Sequence, residues 1–107
     1  MERTPYNKRG LNRAERSLAE PDARTRTSIA KEFAQKGYVV VMQDCRGRYA
    51  SEGSFSKYLS EAEDGYDTMV WLMEQPWCNG KIGTFGVSYG AHTQMAAACL
   101  NPPGLAA

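Results

Sequence analysis

A parallel α/β fold is predicted for this chain of 107 residues by three observations. Segments of helical period alternate with short apolar runs of strand length, which is the order of a fold whose helices cover a sheet. The run Tyr38-Val39-Val40-Val41-Met42 is apolar and β-branched without polar alternation, as expected of a strand covered on both faces. A second short run, Lys81 to Phe85, passes through a glycine-rich turn directly into an alanine-rich segment.

Taken in order, residues 1 to 24 show no clear apolar period and are rich in Arg, Asn and Pro, so an irregular loop is expected, although Glu2-Arg3-Thr4 resembles the exit of a strand. A helix is expected from Thr25 to Lys36, stopped by Gly37. The strand Tyr38 to Met42 follows, with Asp44 marking its end, and Cys45 to Leu59 is polar and glycine-punctuated, which predicts a loop. Ser60 with Glu63 is a capping-box pattern, and Ala62, Tyr66, Met69, Val70 and Met73 then recur at helical spacing. Pro76 to Gly80 breaks that helix; the strand Lys81 to Phe85 and a helix from Tyr89 to Leu100 follow, ended by Asn101-Pro102-Pro103-Gly104. Two parallel strands do not make a stable sheet on their own, so a single partial domain spanning residues 1 to 107, truncated at both ends, is expected.

Composition is that of an ordinary globular protein, with 42% apolar and 23% charged residues and a formal net charge of +1. A domain of this length buries only about two thirds of the surface its unfolded chain exposes. Charge is uneven: residues 1 to 31 carry eight Lys and Arg against four Asp and Glu, hence +4, and the rest carries −3. The basic stretch lacks interleaved aromatics, so a solvated loop is expected there and no nucleic-acid partner. Cys45, Cys78 and Cys99 are widely spaced and odd in number, which suggests buried free thiols in a reducing compartment. No apolar run reaches membrane-span length and no signal-like segment opens the chain, so a cytoplasmic protein with no membrane partner is expected.

The chemistry is concentrated in Gly86-Val87-Ser88-Tyr89-Gly90, which matches the nucleophile elbow G-x-S-x-G. In that turn a serine sits between a buried strand and a helix with its hydroxyl raised above the sheet, and side chains two residues to either side would collide with backbone. The bare pattern arises by chance in about 3% of chains this long, but the flanking strand and helix supply the context it requires. A serine capping the helix is the plainer alternative. A dinucleotide-binding loop needs G-x-G-x-x-G, and Gly83, Gly86 and Gly90 are spaced otherwise. Acyl transfer needs donors for the oxyanion, and the N–H of Tyr89 is the first candidate.

Several blocks then point one way: Arg3-Thr4-Pro5-Tyr6-Asn7-Lys8, Gly37 through Gly47 with Asp44, Arg46 and Gly47, Ser51-Glu52-Gly53, and Trp77 through Gly83 running into Gly86-Val87-Ser88-Tyr89. In order and spacing they resemble the cocaine esterase and X-prolyl dipeptidyl peptidase family of α/β-hydrolases. The resemblance implies a partial α/β-hydrolase fold, Ser88 as nucleophile, the Tyr89 backbone N–H and the Tyr6 hydroxyl as oxyanion donors, and no cofactor. Asp44, Arg46 and Gly47 match the family's D-x-R-G block, and an ion-paired loop that holds the strand end, structural and not catalytic, is the physical role expected of them. The implied substrate is a small-molecule ester or amide or an X-Pro peptide, with nothing in the residues to separate them or to reveal the oligomeric state.

Glu52, Glu61, Glu63, Asp64 and Asp67 do not suggest a metal site, because helical spacing scatters most of them along a solvated face and histidine partners are absent. The sole histidine, His92, lies one helical turn beyond Ser88 and is expected to pack rather than act as base; the triad histidine and carboxylate of the family lie on later loops, beyond Ala107. Residues 1 to 107 are therefore expected to be inactive by themselves. A non-catalytic binding module of the same fold is the alternative reading.

Overall fold

The computed structural model describes residues 1–12 and 21–107. Residues 13–20 of the expected N-terminal loop, with Arg13 and Arg16, lie outside the described residues. Strand β1 (Glu2–Thr4) is followed by β2 (Leu11–Asn12), β3 (Arg24–Thr25), helix α1 (Arg26–Gln35), β4 (Met42–Asp44), α2 (Glu61–Met73) and α3 (Tyr89–Ala98).

β1 and β4 pair in parallel, with Glu2 opposite Met42 and Thr4 opposite Asp44, and α1 lies in the crossover between them. The other edge of β1 is met by the segment 82–85, since Met1 donates to the Gly83 carbonyl and Phe85 donates to that of Met1. That segment is bonded in turn to the chain end: Ile82 bridges Leu105 in parallel, and Thr84 N–H donates to the Ala107 carbonyl. Chain segments 42–44, 1–4, 82–85 and 104–107 thus lie side by side, and the parallel α/β class expected from the pattern is present in this short form. β2 and β3 form a separate antiparallel ladder, Leu11 opposite Thr25.

Several boundaries differ from the expected ones. The apolar run Tyr38 to Met42 does not itself form the strand; pairing starts at Met42, where β1 supplies a partner, and Tyr38 and Val39 are 64% and 59% exposed. A strand follows available hydrogen-bonding partners before it follows apolar runs. Lys81 to Phe85 forms one isolated bridge rather than a regular strand, and α3 ends at Ala98, two residues before Leu100. Thr25 caps α1 as a helix N-cap should, its hydroxyl accepting from Ser28 N–H, whereas Ser60 makes no side-chain cap bond to α2.

The core is built where α2 and α3 cover the sheet. Met69, Leu72, Ile82 and Ala97 are buried together, with Met1, Val41, Met73 and Leu105 packed around them. Ile82 joins this cluster while Phe85, three residues on, lies 5.1 Å from the Phe33 ring of α1, so the two point to opposite faces of the sheet. The buried stripe of α2 is Glu61, Gly65, Met69 and Leu72. It is rotated from the stripe expected through Ala62, Tyr66 and Val70, because the helix turns toward a buried cation as well as toward apolar side chains. Of the cysteines Cys45 is buried, Cys78 half-buried and Cys99 exposed, all with free thiols, so the expectation of three buried thiols holds for Cys45 alone.

Gly65 sets the spacing of the two helices. A β-carbon there would stand 2.6 Å from that of Ala97 and 3.2 Å from Arg3 Nη1, closer than side chains pack. Gly65→Ala is expected to destabilise the protein by about 1–3 kcal/mol through overpacking. Thermal unfolding of the full-length protein checks this, and a melting temperature equal to wild type would mean that the helices separate without cost.

Candidate active site

Ser88 lies between the segment 82–85 and α3, in a constrained backbone conformation. Its φ and ψ are 58° and −122°, on the side of φ where a β-carbon is crowded, and such residues cost about 1–3 kcal/mol each. Gly86 has φ 141°, and a β-carbon on it would come within 3.2 Å of Gly90 Cα, so this glycine is required both by conformation and by the close approach. At Gly90 such a β-carbon would meet Arg3 O at 3.9 Å, ordinary contact, so the collision expected on both sides of Ser88 occurs on one. Gln94 Nε2 donates to the carbonyls of Gly86 and Gly90 at 2.9 and 3.0 Å, fastening the turn to the helix that follows it.

Tyr6 reaches the same place from the loop after β1. Its own N–H donates to Thr4 Oγ1 at 3.1 Å, Arg48 Nε donates to the Pro5 carbonyl, and Lys8 N–H donates to Asp44 Oδ1 at 2.7 Å. With Pro5 fixing φ beside it, the loop is restrained on both sides of the tyrosine. The Tyr6 hydroxyl lies 3.4 Å from Ser88 Oγ, with either as donor. Both residues are exposed, Tyr6 to 48%. Tyr89, the next residue, opens α3, so its N–H is one of the first-turn groups that no helical carbonyl satisfies. The three residues singled out in the sequence, Ser88, Tyr6 and Tyr89, are therefore brought together.

Beneath them runs a layer of charge that the sequence did not reveal. The Tyr89 ring is 6% exposed; its hydroxyl donates to Glu61 Oε1 at 3.0 Å and accepts from Tyr58 N–H at 2.9 Å. Glu61 is paired with Arg3 at 3.1 Å, with both side chains almost wholly buried. Arg3 also donates to the Glu61 carbonyl and to Gln43 Oε1. Burial pushes the Tyr89 hydroxyl up to about 12, with the Glu61 hydrogen bond and charge adding to it and the Tyr58 N–H opposing. Burial likewise pushes the Cys45 thiol up to about 12, and the Glu61 charge adds to the effect.

The basic N-terminal stretch is accordingly solvated only in part: among its described residues Arg9 and Lys31 are exposed, whereas Arg3 and Arg26 are buried, Arg26 against Glu2. Glu61 likewise leaves the expected solvated face. The signal for it was its place four residues before Gly65 and eight before Met69, on the face that packs. Asp44 and Arg46 are ion-paired as expected of a strand-end loop, though with different partners: Asp44 with Lys8, Arg46 with Asp64. Gly47, at φ 68°, has the Ser54 and Phe55 backbone where a side chain would go.

His92 packs edge-on against the rings of Tyr58 and Tyr89, at 4.7 and 5.5 Å between centroids. Its Nε2 is buried with no hydrogen-bond partner among the described residues. No cluster of three or more metal-ligating side chains occurs among the described residues, and no helix among them is long and apolar enough to cross a membrane.

The frame is a small parallel α/β one, with the exposed Ser88 at the turn between segment 82–85 and α3. Comparison with known proteins makes the assignment specific: the profile of the X-Pro dipeptidyl-peptidase family (S15 family) matches residues 1–107, and the chain belongs to that family. It is 49% identical to the cocaine esterase of Rhodococcus sp. (strain MB1 Bresler) over 76 residues, which are 71% of this chain and 13% of that protein. A Mycobacterium bovis protein named as a serine esterase is 39% identical over 61 residues, 55% of this chain and 10% of its own length. The matched regions thus make up a small part of those relatives. The names of the family and of these relatives all denote hydrolases.

The ion pair at the rim of this layer gives a pH-dependent prediction. Hydrogen bonds from Arg46 hold the Asp64 carboxyl below its ordinary 3.8; burial opposes them, and the charges of Arg46 and Arg3 add to the lowering. A group whose pKa is lowered by folding contributes stability above its unfolded pKa and loses it as pH falls through the folded value. The difference in stability between wild type and Asp64→Asn is therefore expected to be constant from about pH 7 to 5 and to narrow as pH falls below about 4. Unfolding of the two proteins across that range measures it, and a difference that does not narrow as pH falls below about 4 would count against this ion pair as its source.

Proposed function

We propose that the protein is a serine hydrolase of acyl-transfer type, with residues 86–90 as its nucleophile elbow. The observation that carries this reading is Ser88 itself: a non-glycine residue held at φ 58° at the head of α3, its exposed hydroxyl 3.4 Å from the hydroxyl of Tyr6. A binding module would have no need of a strained serine beside a second hydroxyl.

In this mechanism Ser88 Oγ attacks the carbonyl carbon of an ester or amide and gives up its proton to a general base. The carbonyl oxygen becomes an oxyanion, accepts hydrogen bonds from the Tyr6 hydroxyl and the Tyr89 N–H, and collapses to an acyl-enzyme as the alcohol or amine leaves with the proton. Water then releases the acid by the reverse sequence. The N-terminal end of α3 adds a favourable field for the developing negative charge. The general base is a histidine oriented by a carboxylate. His92 does not fill that role, because its ring is packed against Tyr58 and Tyr89. The esterase names of the relatives favour a carboxylic ester as substrate and the family name favours an X-Pro dipeptide; the same attack serves both.

A fluorophosphonate probe is expected to label the full-length protein on Ser88, and Ser88→Ala is expected to abolish both labelling and turnover. Tyr6→Phe removes one oxyanion donor and is expected to lower kcat by about 10²- to 10³-fold. Adduct mapped to another residue, or turnover surviving in Ser88→Ala, would refute the assignment. An unchanged kcat in Tyr6→Phe would remove that hydroxyl from the mechanism.

A further inference from the structure

The proposed reaction uses the backbone N–H of Tyr89 and leaves its phenol unexplained. That phenol is the most constrained group at the site: buried, and hydrogen-bonded from both sides, to Glu61 Oε1 at 3.0 Å and from Tyr58 N–H at 2.9 Å. Tyr58 presents that N–H from a left-handed backbone, φ 70°, a conformation uncommon for a residue with a side chain. The ring beneath is enclosed as well, stacked on Tyr58 at 5.0 Å and met edge-on by Tyr6 at 6.5 Å between centroids. One ring therefore bears on both proposed oxyanion donors, carrying one on its own backbone and touching the other.

The position of that ring is referred to Glu61, and Glu61 is fixed in turn. Arg3 pairs with its carboxylate and donates to its carbonyl at 2.9 Å, so the first residue of α2 is tied to β1 by side chain and backbone together. Stability gives a poor account of this arrangement. A buried ion pair is frequently no more stabilising than well-packed apolar residues of the same volume, and a phenylalanine would fill the volume of Tyr89 with no buried carboxylate to satisfy. Directional bonds do what packing alone does not: they fix the tilt of a ring within a few tenths of an ångström, the tolerance that oxyanion geometry requires.

We propose that Glu61 is a positioning residue for the oxyanion site, acting through the Tyr89 hydroxyl to set both Tyr89 N–H and Tyr6 relative to Ser88. The proposal rests on the reading of Ser88 as the nucleophile. The carboxylate does not touch substrate and exchanges no proton in the reaction; its effect is on the orientation of donors.

The test uses the full-length protein with Tyr89→Phe, Glu61→Gln and Glu61→Leu, each titrated with a fluorophosphonate probe so that kcat is expressed per reactive serine. Tyr89→Phe, which deletes one oxygen and keeps the ring, is expected to lower kcat per titrated serine by about 10- to 100-fold with KM within about twofold. Glu61→Leu is expected to fall equally far, and Glu61→Gln, whose amide oxygen still accepts from the phenol, to recover most of the loss. Tyr89→Phe combined with Glu61→Leu should be no worse than either single change, since both cut the same link. A purely structural role would instead reduce the titratable fraction and leave kcat per titrated serine unchanged; that result, or full kcat in Tyr89→Phe, overturns the proposal. Should Glu61→Leu fail to fold, Tyr89→Phe and Glu61→Gln decide. Absence of label on Ser88 in the wild type would defeat the nucleophile reading itself, before any variant is compared.

Discussion

The buried pair of Arg3 and Glu61 is the contact on which the rest of the structure hangs. Arg3 is the central residue of β1, Glu61 opens α2, and the Glu61 carboxylate reaches Tyr89 at the start of α3. Three elements far apart in sequence are registered to one another by a single carboxylate. Two charges taken from water are held only if their remaining hydrogen bonds are satisfied, and removing one partner of such a pair typically costs about 3–5 kcal/mol. Here the guanidinium is shared among the Glu61 carboxylate, the Glu61 carbonyl and Gln43, and Gln43 also accepts from Thr68 of α2. The ion pair is thus less a source of stability than a condition the surrounding residues must meet.

That condition shapes the apolar core beside it. A guanidinium placed between β1 and α2 leaves no room for a side chain at Gly65, and the same small residue lets α3 approach until Ala97 fills the gap. Met69 and Leu72, one and two turns further along α2, then meet Ile82 where the helices cover the sheet. Charge at one end of α2 and hydrocarbon at the other share a single stripe of the helix, and this is why its buried face contains Glu61 and Gly65 as well as Met69 and Leu72.

The same mixture explains what could and could not be read from the sequence. The helices Arg26–Gln35, Glu61–Met73 and Tyr89–Ala98 were legible because apolar period, Gly37 and the Pro76 break act locally. Ser88, Tyr89 and Tyr6 were legible as a group through the glycine-flanked turn and the likeness of whole blocks to one family. The run Tyr38 to Met42 misled because apolar, β-branched composition says what a residue tolerates, while the ladder forms at Met42 to Asp44, where Glu2 to Thr4 supplies partners. Glu61 was misread for a related reason. A carboxylate in a run of acids looks solvated until the arginine that pays its desolvation is known, and Arg3 is 58 residues away. Contacts of that separation leave no trace in local pattern.

Strain at Ser88 follows from this framework. A residue at φ 58° relaxes unless its neighbours over-determine it, and here restraint comes from both directions. From α3, Gln94 binds the carbonyls of Gly86 and Gly90, while Thr93 donates to the Gly90 and Arg3 carbonyls and so ties the helix to β1. From the sheet, Phe85 N–H donates to the Met1 carbonyl, so the segment entering the turn has no freedom to withdraw. The turn can neither unwind into the helix nor slide along the sheet. Because Arg3 accepts from Thr93 and also pairs with Glu61, the start of α3 behind Ser88 and the ring of Tyr89 are referred to one residue. A displacement of β1 would therefore be transmitted to α3 through the Thr93 bond and to the Tyr89 ring through Glu61.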